Sequence, residues 1–422
     1  MDEAMIFKVR NFGPINNADM TIGKINIVGG HNATGKSTAS KLLYCFLKAN
    51  SNKRQDFAYE SLSNLMIRVM RHMGRYVPRI YEYDDGDSPE IFEDYEQLKE
   101  EFYNSDNYEY NKFFEKDVKD LDEAIKIINE NGDSLYLSIL RNLLRLEFST
   151  RNFNGFISVC GGSEDNEYAF SADFLENKVN SDDAFKSKGS MDIYDAFYID
   201  SYSIFDISSS SPRFSAKSFG YYDHVEYLKI MLQDEVDESI ELFDEKKNMK
   251  IIDVEERIEE IINGKIEFNK GRFTYVANGS GPCAMNNTAS GIKQIGVIQL
   301  LLSNRKLKED SFLIIDEPEV NLHPEWQFKF AEILVLLAKE LDITIYINTH
   351  SPMFIEAIEV LTRFNDLEEF TNFYLTEKFD GNTNNFIKYD YSDLYEIYDN
   401  LAKPFDAIEV YRLKAEYKKD KA

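Results

Sequence analysis

Residues Gly30-His31-Asn32-Ala33-Thr34-Gly35-Lys36-Ser37-Thr38 carry the strongest chemical signal in the chain. They fit the pattern G-x-x-x-x-G-K-[ST] without a mismatch. Glycines at both ends let the backbone curl, so that successive N–H groups point inward at an anion. Lys36 adds a full positive charge for the β- and γ-phosphates of a nucleotide, and Ser37 offers a hydroxyl to Mg2+.

Two carboxylates, Asp316 and Glu317, end the apolar run Phe312-Leu313-Ile314-Ile315. A buried strand that delivers acids at its C-terminal end suits a nucleotide site at the edge of a parallel sheet. Asp316 is expected to hold Mg2+ through water. Glu317 is expected to orient and activate the attacking water as general base. His350 follows a second apolar run, Ile343 to Ile347, by one short polar step. A lone histidine at a strand end is usually structural. Here one helix separates the two runs, so their ends can lie side by side and His350 can reach the γ-phosphate and the water held by Glu317.

Ser290-Gly291 opens a helix that continues through Ile295, Val297, Ile298 and Leu301. This is a second anion-seeking helix start with a hydroxyl at its tip. Two readings stand side by side: an ordinary helix cap, or a contact to the nucleotide of another subunit.

The elements that must position these groups are legible around them. Lys24 to Val28 reads as a short buried strand running into the phosphate loop, and Ala39, Leu42, Leu43 and Phe46 recur at helical spacing after it. The positive end of that helix would face the phosphates. Pro324 sits where it can start the helix between the two apolar runs. Met5 to Val9 and Met20 to Thr21 read as strands about the turn Asn11-Phe12-Gly13-Pro14. Phe12 is read as a core aromatic, with stacking on an adenine ring as the competing role. The fold class expected is α/β: a P-loop core, its mixed sheet flanked by helices, with a mostly helical insertion.

The rest of the chain divides by composition. Residues 1–52 form the first part of the core. Residues 53–145 read as a helical insertion rich in Tyr, Asp, Glu and Asn, acidic and loop-like from Tyr81 to Pro89. Arg68, Arg71, Arg75 and Arg79 fall at helical spacing there, although Pro78 argues against the helix reaching Arg79. They read as a solvated face, or as a contact to nucleic acid or an acidic partner. Residues 146–220 read as a β-subdomain with strands at Leu146-Glu147-Phe148-Ser149 and Gly155 to Val159. Glu167 to Phe174 pairs with them, Asp195 to Asp200 is a buried strand, and a flexible joint spans Ser208 to Pro212. Residues 221–264 read as a helical hairpin. Residues 265–422 complete the core, opening with a β-hairpin at Lys265 to Phe268 and Arg272 to Val276 and ending in a basic, solvated helix end at Tyr411 to Lys421.

The chain has 422 residues, with 75 acidic against 48 basic side chains and a net charge of −27. That balance does not support nucleic-acid binding in general, since counterion release needs clustered Lys and Arg. A local basic groove stays possible. Cys45, Cys160 and Cys283 have no metal-ligand spacing and are expected to be buried thiols in a reducing cytosol. No signal peptide and no membrane span is expected, so the location expected is cytoplasmic.

Taken together, Gly30 to Ser37, Ser290-Gly291, Asp316-Glu317-Pro318 and His350 resemble the ATP-binding-cassette-type ATPases. Within them the chain is most similar to the RecF, Rad50 and OLD-like branch, the AAA-family ATPases of the AAA15/AAA21 type. Asn11-Phe12-Gly13-Pro14, Asp316 to Glu319 with Leu322-His323-Pro324, and Thr349-His350-Ser351-Pro352 carry that likeness, which covers the first 50 residues and roughly 265 to 410. The resemblance implies ATP and Mg2+ as cofactors and a homodimer that sandwiches two ATP molecules head to tail. Ser290 and Gly291 of one chain would cap the γ-phosphate bound by the other, and Leu322 to Pro324 would cross the dimer interface. Nucleotide contacts would also come from Asn32, Ala33, Thr34, Gly35 and Thr38.

Three departures qualify the likeness. The signature lacks the second glycine of Ser-Gly-Gly. No glutamine stands near the Asp195 to Asp200 strand. No long coiled coil of the Rad50 type is expected, and no OLD-type nuclease domain is expected in the about 70 residues after His350. The expected function is an ATP-hydrolysing dimer that drives or regulates an effector partner, a nuclease or toxin, in antiviral defence or DNA repair. The alternative is a slow, nucleotide-gated scaffold or sensor that holds an effector inactive. A transporter subunit suits the insertion and the Leu-His-Pro loop less well.

Overall fold

Ile25 to Gly29 is buried along its whole length, as a parallel strand covered on both faces must be. The structure is a computed structural model and describes residues 5–51, 122, 133–148, 155–161, 168–175, 178–179, 185–188, 192–200, 202–205, 222–233, 245–269, 271–279 and 281–419. The strands are β1 (Met5–Phe12), β2 (Ile15–Ile22), β3 (Ile25–Gly29), β4 (Gly155–Gly161), β5 (Tyr168–Leu175), β6 (Lys178–Val179), β7 (Phe185–Lys188) and β8 (Ala196–Ile199). They continue with β9 (Gly264–Asn269), β10 (Arg272–Ala277), β11 (Pro282–Ala284), β12 (Phe312–Asp316), β13 (Thr344–Thr349), β14 (Thr371–Asp380) and β15 (Thr383–Tyr389). The helices are α1 (Lys36–Asn50), α2 (Asp133–Phe148), α3 (His224–Gln233), α4 (Glu245–Ile262), α5 (Ser290–Ser303), α6 (Pro324–Glu340), α7 (Pro352–Phe364) and α8 (Leu394–Lys419).

Among the described residues, one 12-stranded sheet runs β6-β5-β4-β1-β2-β15-β14-β3-β13-β12-β8, with β7 beside β5. β14, β3, β13, β12 and β8 run parallel to one another. The β1–β2, β1–β4, β4–β5 and β14–β15 pairs are antiparallel. The mixed α/β P-loop core expected from the motifs is therefore present. A separate three-stranded sheet, β11-β10-β9, contains the expected hairpin and adds a third strand. It leads directly into α5, against which α3 and α4 also pack.

Helix α1 lies over β8, β12 and β13 on one face of the parallel strands. Ala39, Leu42, Leu43 and Phe46 are all fully buried, as their spacing requires. At the far end of α1, Lys48 Nζ donates to Asp195 Oδ1 at 2.5 Å, and both side chains are buried. Tyr227 of α3 donates its hydroxyl to the other oxygen of Asp195, and the Lys48 ammonium lies 3.4 Å from the Tyr227 ring centroid. This pairing compensates a buried charge and ties α1, the start of β8 and α3 together.

Several readings change. Leu146, Glu147 and Phe148 are the last turn of α2, not a strand. Tyr136, Ile139, Leu140, Leu143 and Leu144 form a buried stripe at helical spacing, and that stripe carries the helix through Phe148. Cys45 is buried, but Cys160 and Cys283 are only half-buried. Phe12 is buried and meets Phe148 edge-on at 5.6 Å, so it is a core aromatic. The arginine series Arg68 to Arg79, the acidic stretch Tyr81 to Pro89 and the joint Ser208 to Pro212 lie outside the described residues.

Candidate functional site

The phosphate loop joins β3 to α1 and is a strained piece of backbone. Gly30 has φ 150° and Gly35 has φ 102°, with Ala33 at φ 62° between them. A Cβ on Gly30 would fall 1.8 Å from Thr376 Oγ1, and one on Gly35 would fall 2.9 Å from Ile15. Both positions therefore need glycine for conformation and for room. Thr376 of β14 donates to Thr34 Oγ1 at 2.7 Å, and Thr34 donates to the His31 carbonyl at 2.8 Å. Lys36 Nζ donates to the carbonyls of Gly30 at 2.7 Å and His31 at 2.8 Å. Burial lowers the Lys36 pKa, and the nearby carboxylates of Asp316, Glu317 and Glu319 work against that shift.

Asp316 stands two strands away at the same sheet end. Asp316 pairs with Asn348 across β12 and β13, and Thr349 pairs with Gly29 across β13 and β3. Two interstrand steps amount to about 10 Å. Asp316 Oδ1 accepts from Asn348 Nδ2 at 2.9 Å, and Oδ2 accepts from the Tyr198 hydroxyl at 3.1 Å. Asn348 Nδ2 also donates to Ser40 Oγ at 2.7 Å, and Ser40 Oγ lies 3.1 Å from the Tyr198 hydroxyl.

Glu317 adopts φ 53°, and its N–H donates to the Asn348 carbonyl at 2.9 Å. Its side chain is half-exposed, with Oε1 3.8 Å from His350 Nδ1. Glu319 is buried, and its Oε1 accepts the His350 main-chain N–H at 2.7 Å and lies 3.2 Å from His350 Nδ1. The sheet thus brings Lys36, Asp316, Glu317 and His350 to one edge.

Ser290 and Gly291 make their contacts elsewhere, with the segment that follows the carboxylates. Ser290 Oγ donates to the Asn321 carbonyl at 2.6 Å. A Cβ on Gly291 would sit 2.5 Å from the Trp326 indole, so the helix start lies flat on that ring. His323 caps α6 by accepting the Glu325 N–H, and Pro324 takes the first helical position.

Tyr198, Asn348, Ser40, Glu319 and Thr376 were not singled out by the sequence reading. Only Asn348 and Glu319 carried a signal, as neighbours of Thr349-His350 and Asp316-Glu317 within the motifs.

The residues fit a Mg2+–nucleotide pair. Among the described residues, buried Asn348 Oδ1 and Glu319 Oε2 have no hydrogen-bond partner at this edge. Among the described residues no cluster of three or more His, Cys, Asp or Glu could hold a metal alone. A small hard cation held by one carboxylate, one hydroxyl and phosphate oxygens matches the donors present.

A P-loop core with strand-end acids and a histidine just after the intervening strand defines a P-loop AAA domain. The family model described as "AAA domain, putative AbiEii toxin, Type IV TA system" matches residues 25–356, and the chain belongs to that family. No curated protein matches it. Among solved structures it is similar to the SMC head domain from Thermotoga maritima, at 9% identity and TM-score 0.41, covering 92% of this chain and 100% of that one. It is also similar to an SmcHead bound to the C-winged helix domain of ScpA, at 11% and 0.43, covering 92% and 97%. An Smc head with an extended coiled coil, bound to the C-terminal domain of ScpA derived from Pyrococcus furiosus, aligns at 11% and 0.41, covering 98% and 100%. Among the described residues no helix is long and apolar enough to cross a membrane.

Proposed function

We propose that this chain binds and hydrolyses Mg2+-ATP as a head-to-tail homodimer and uses the cycle to drive or regulate an effector protein. One observation carries the reading: the β12–β13–β3 register brings Asp316 and the phosphate loop that carries Lys36 to the same end of the sheet. The division into a core (1–52, 146–220, 265–422) with inserts at 53–145 and 221–264 belongs to the same proposal.

In this reading the main-chain N–H groups of Asn32 to Thr38 bind the phosphates, and Lys36 leaves its loop carbonyls for the β- and γ-oxygens. Ser37 and Asp316 would hold Mg2+, which supplies charge neutralisation on the phosphates when bound. Glu317 takes the proton of the attacking water, and His350 donates toward the γ-phosphate. Ser290 and Gly291 would meet the γ-phosphate of the other subunit. The family description names a toxin–antitoxin system, which supports the defence side of the reading and an effector of toxin or nuclease type. DNA repair is the other setting. The charge of −27 gives nucleic acid no support as a general ligand.

Phosphate release by purified protein with Mg2+-ATP tests the proposal. Glu317→Gln should cut it by about a hundredfold or more while nucleotide binding persists. Equal release by wild type and variant would overturn the role of Glu317, and no release by wild type would overturn hydrolysis.

The slow, gated alternative rests on a separate observation. The Ser290 hydroxyl is already engaged by Asn321, and Gly291 is pressed on Trp326. A signature so held would release its contacts only with cost. Single-turnover decay that is far slower than nucleotide binding, and unchanged by protein concentration, supports this reading over rapid cycling.

A further inference from the structure

Asp316 and Ser37 stand on different elements, one at the end of β12 and one in the first turn of α1. Both must present oxygens to one small cation if the proposed reaction is correct. Mg2+ demands near-octahedral geometry at short distances, so their separation has to be fixed before it arrives.

Four side chains make that connection. Tyr198, Asp316, Asn348 and Ser40 close a ring of hydrogen bonds between 2.7 and 3.1 Å. The register explains how they meet. Tyr198 lies opposite Ile314 and Asn348 opposite Asp316 in parallel pairs. Ile314 and Asp316 are two residues apart and share a face, so Tyr198, Asp316 and Asn348 share it too. α1 covers that face, and Ser40 reaches down from it. Ser40 Oγ also lies 3.2 Å from the Ser37 carbonyl, one turn earlier in α1. With its one proton given to Tyr198, Ser40 closes the ring and ties both oxygens of Asp316 to α1, one turn from Ser37.

Tyr198 is itself held from behind. Its ring meets His224 edge-on at 4.8 Å and Tyr44 edge-on at 5.8 Å. His224 is buried at the start of α3. Its Nδ1 lies 2.6 Å from Glu147 Oε2 of α2, and its Nε2 lies 2.9 Å from Asp200 Oδ2. Its main-chain N–H donates to Glu147 Oε1 at 2.9 Å. Lys41 Nζ lies 3.7 Å from Glu147 and 5.6 Å from the Tyr198 ring centroid. The clamp thus draws on α1, α2, α3 and the residue after β8.

We propose that Tyr198 is a positioning residue for the cation-facing carboxylate of Asp316, working with Asn348 and Ser40, and that the His224–Glu147–Asp200 clamp fixes the Tyr198 ring. This rests on the ATPase reading above. The two hydrogen bonds hold the Asp316 carboxylate in one plane and leave its remaining lone pairs for the cation. Outer hydrogen bonds of this kind typically set metal affinity by 10–100-fold. The clamp also gives α2 and α3 a mechanical link to the cation site: movement of either helix shifts His224, then the Tyr198 ring, then Asp316.

The test uses the full chain and a fluorescent ribose-labelled ATP analogue. Binding is titrated once in EDTA and once against increasing MgCl2, with thermal unfolding measured alongside. Tyr198→Phe removes one donor and keeps the ring. It should leave the EDTA affinity unchanged and raise the Mg2+ concentration for half-maximal enhancement by about tenfold. Ser40→Ala should shift it the same way by less, since it removes a link one step back. His224→Gln should fall between wild type and Tyr198→Phe. An unchanged Mg2+ requirement in a folded Tyr198→Phe protein overturns the proposal. Equal loss in EDTA and in Mg2+ also overturns it, because that marks a general packing role. If Tyr198→Phe does not fold, the same two outcomes are read from Ser40→Ala. Wild type that binds no nucleotide under either condition refutes the ATPase reading instead.

Discussion

Glu319 Oε1 accepts the main-chain N–H of His350 at 2.7 Å and lies 3.2 Å from Nδ1 of the same residue. The acid is buried and the histidine is half-exposed, so the buried group holds the exposed one. The loop after β12 and the end of β13 are thereby fixed to one another beside Glu317. Glu319→Ala should lower kcat for phosphate release about tenfold or more with little change in KM, because His350 would lose both its anchor and its orienting charge. Glu319→Gln keeps an acceptor for the N–H and should fall between the two. Steady-state kinetics on all three proteins checks the order.

The phosphate loop is braced from β14, and that brace gives a second prediction. Gly30→Ala would place a methyl group on Thr376 Oγ1 and force a φ of 150° on an L-residue. Nucleotide affinity should fall by roughly tenfold or more. Adding Thr376→Ala makes room but leaves the backbone strain, so the double variant should recover only part of the loss. Equilibrium titration of labelled ATP separates the two contributions.

Gly291 and Trp326 make a comparable pair at the signature helix. Gly291→Ala drives a Cβ into the indole at 2.5 Å, which α5 can relieve only by shifting its start. The cost should be about 1–3 kcal/mol in denaturant unfolding. Trp326→Leu in the same chain should return part of it, giving a favourable coupling in a double-mutant cycle. Under the dimer reading, hydrolysis should fall in Gly291→Ala while nucleotide binding by the isolated chain does not.

What could be read from the sequence follows the range of the contacts involved. Gly30 to Ser37 is local: strand, loop and helix are contiguous, and each part supports the others. Asp316 is legible because charges rarely follow such an apolar run by chance, and His350 because one helix separates its strand from the carboxylate strand. Tyr198 was not, since its partner Asp316 lies 118 residues away and only the sheet order brings them together. Ser40 and Asn348 are 308 residues apart and gave no sign of their bond. Leu146 to Ser149 taken alone suits a strand as well as a helix, because four residues are too few to tell a period of two from one of 3.6. The wider stripe from Tyr136 to Leu144 would have decided it.

The clamp at His224 sets a pH window for stability. Burial alone would push this imidazole down, but hydrogen bonds and charge from Asp200 and Glu147 outweigh it and raise the pKa from 6.5 to about 9. A raised folded value means the folded state favours the proton. The stabilisation is therefore complete below about 6.5, is lost as pH rises toward 9, and amounts to on the order of 3 kcal/mol. Asp200 behaves oppositely: burial would raise its carboxyl, yet the His224 hydrogen bond and charge bring it below its ordinary value of 3.8. Its contribution is present above that value and is lost as pH falls through the lowered one. Glu226, two residues beyond His224, is pushed up to about 7 by burial and by Asp223. Its own contribution fades between 4.5 and about 7, below most of the His224 window. Subtracting His224→Gln from wild type isolates the histidine. Denaturant unfolding from pH 6 to 9.5 should show the difference between the two proteins shrinking as pH rises. A difference that stays constant across that range would mean His224 acts by packing and not by charge.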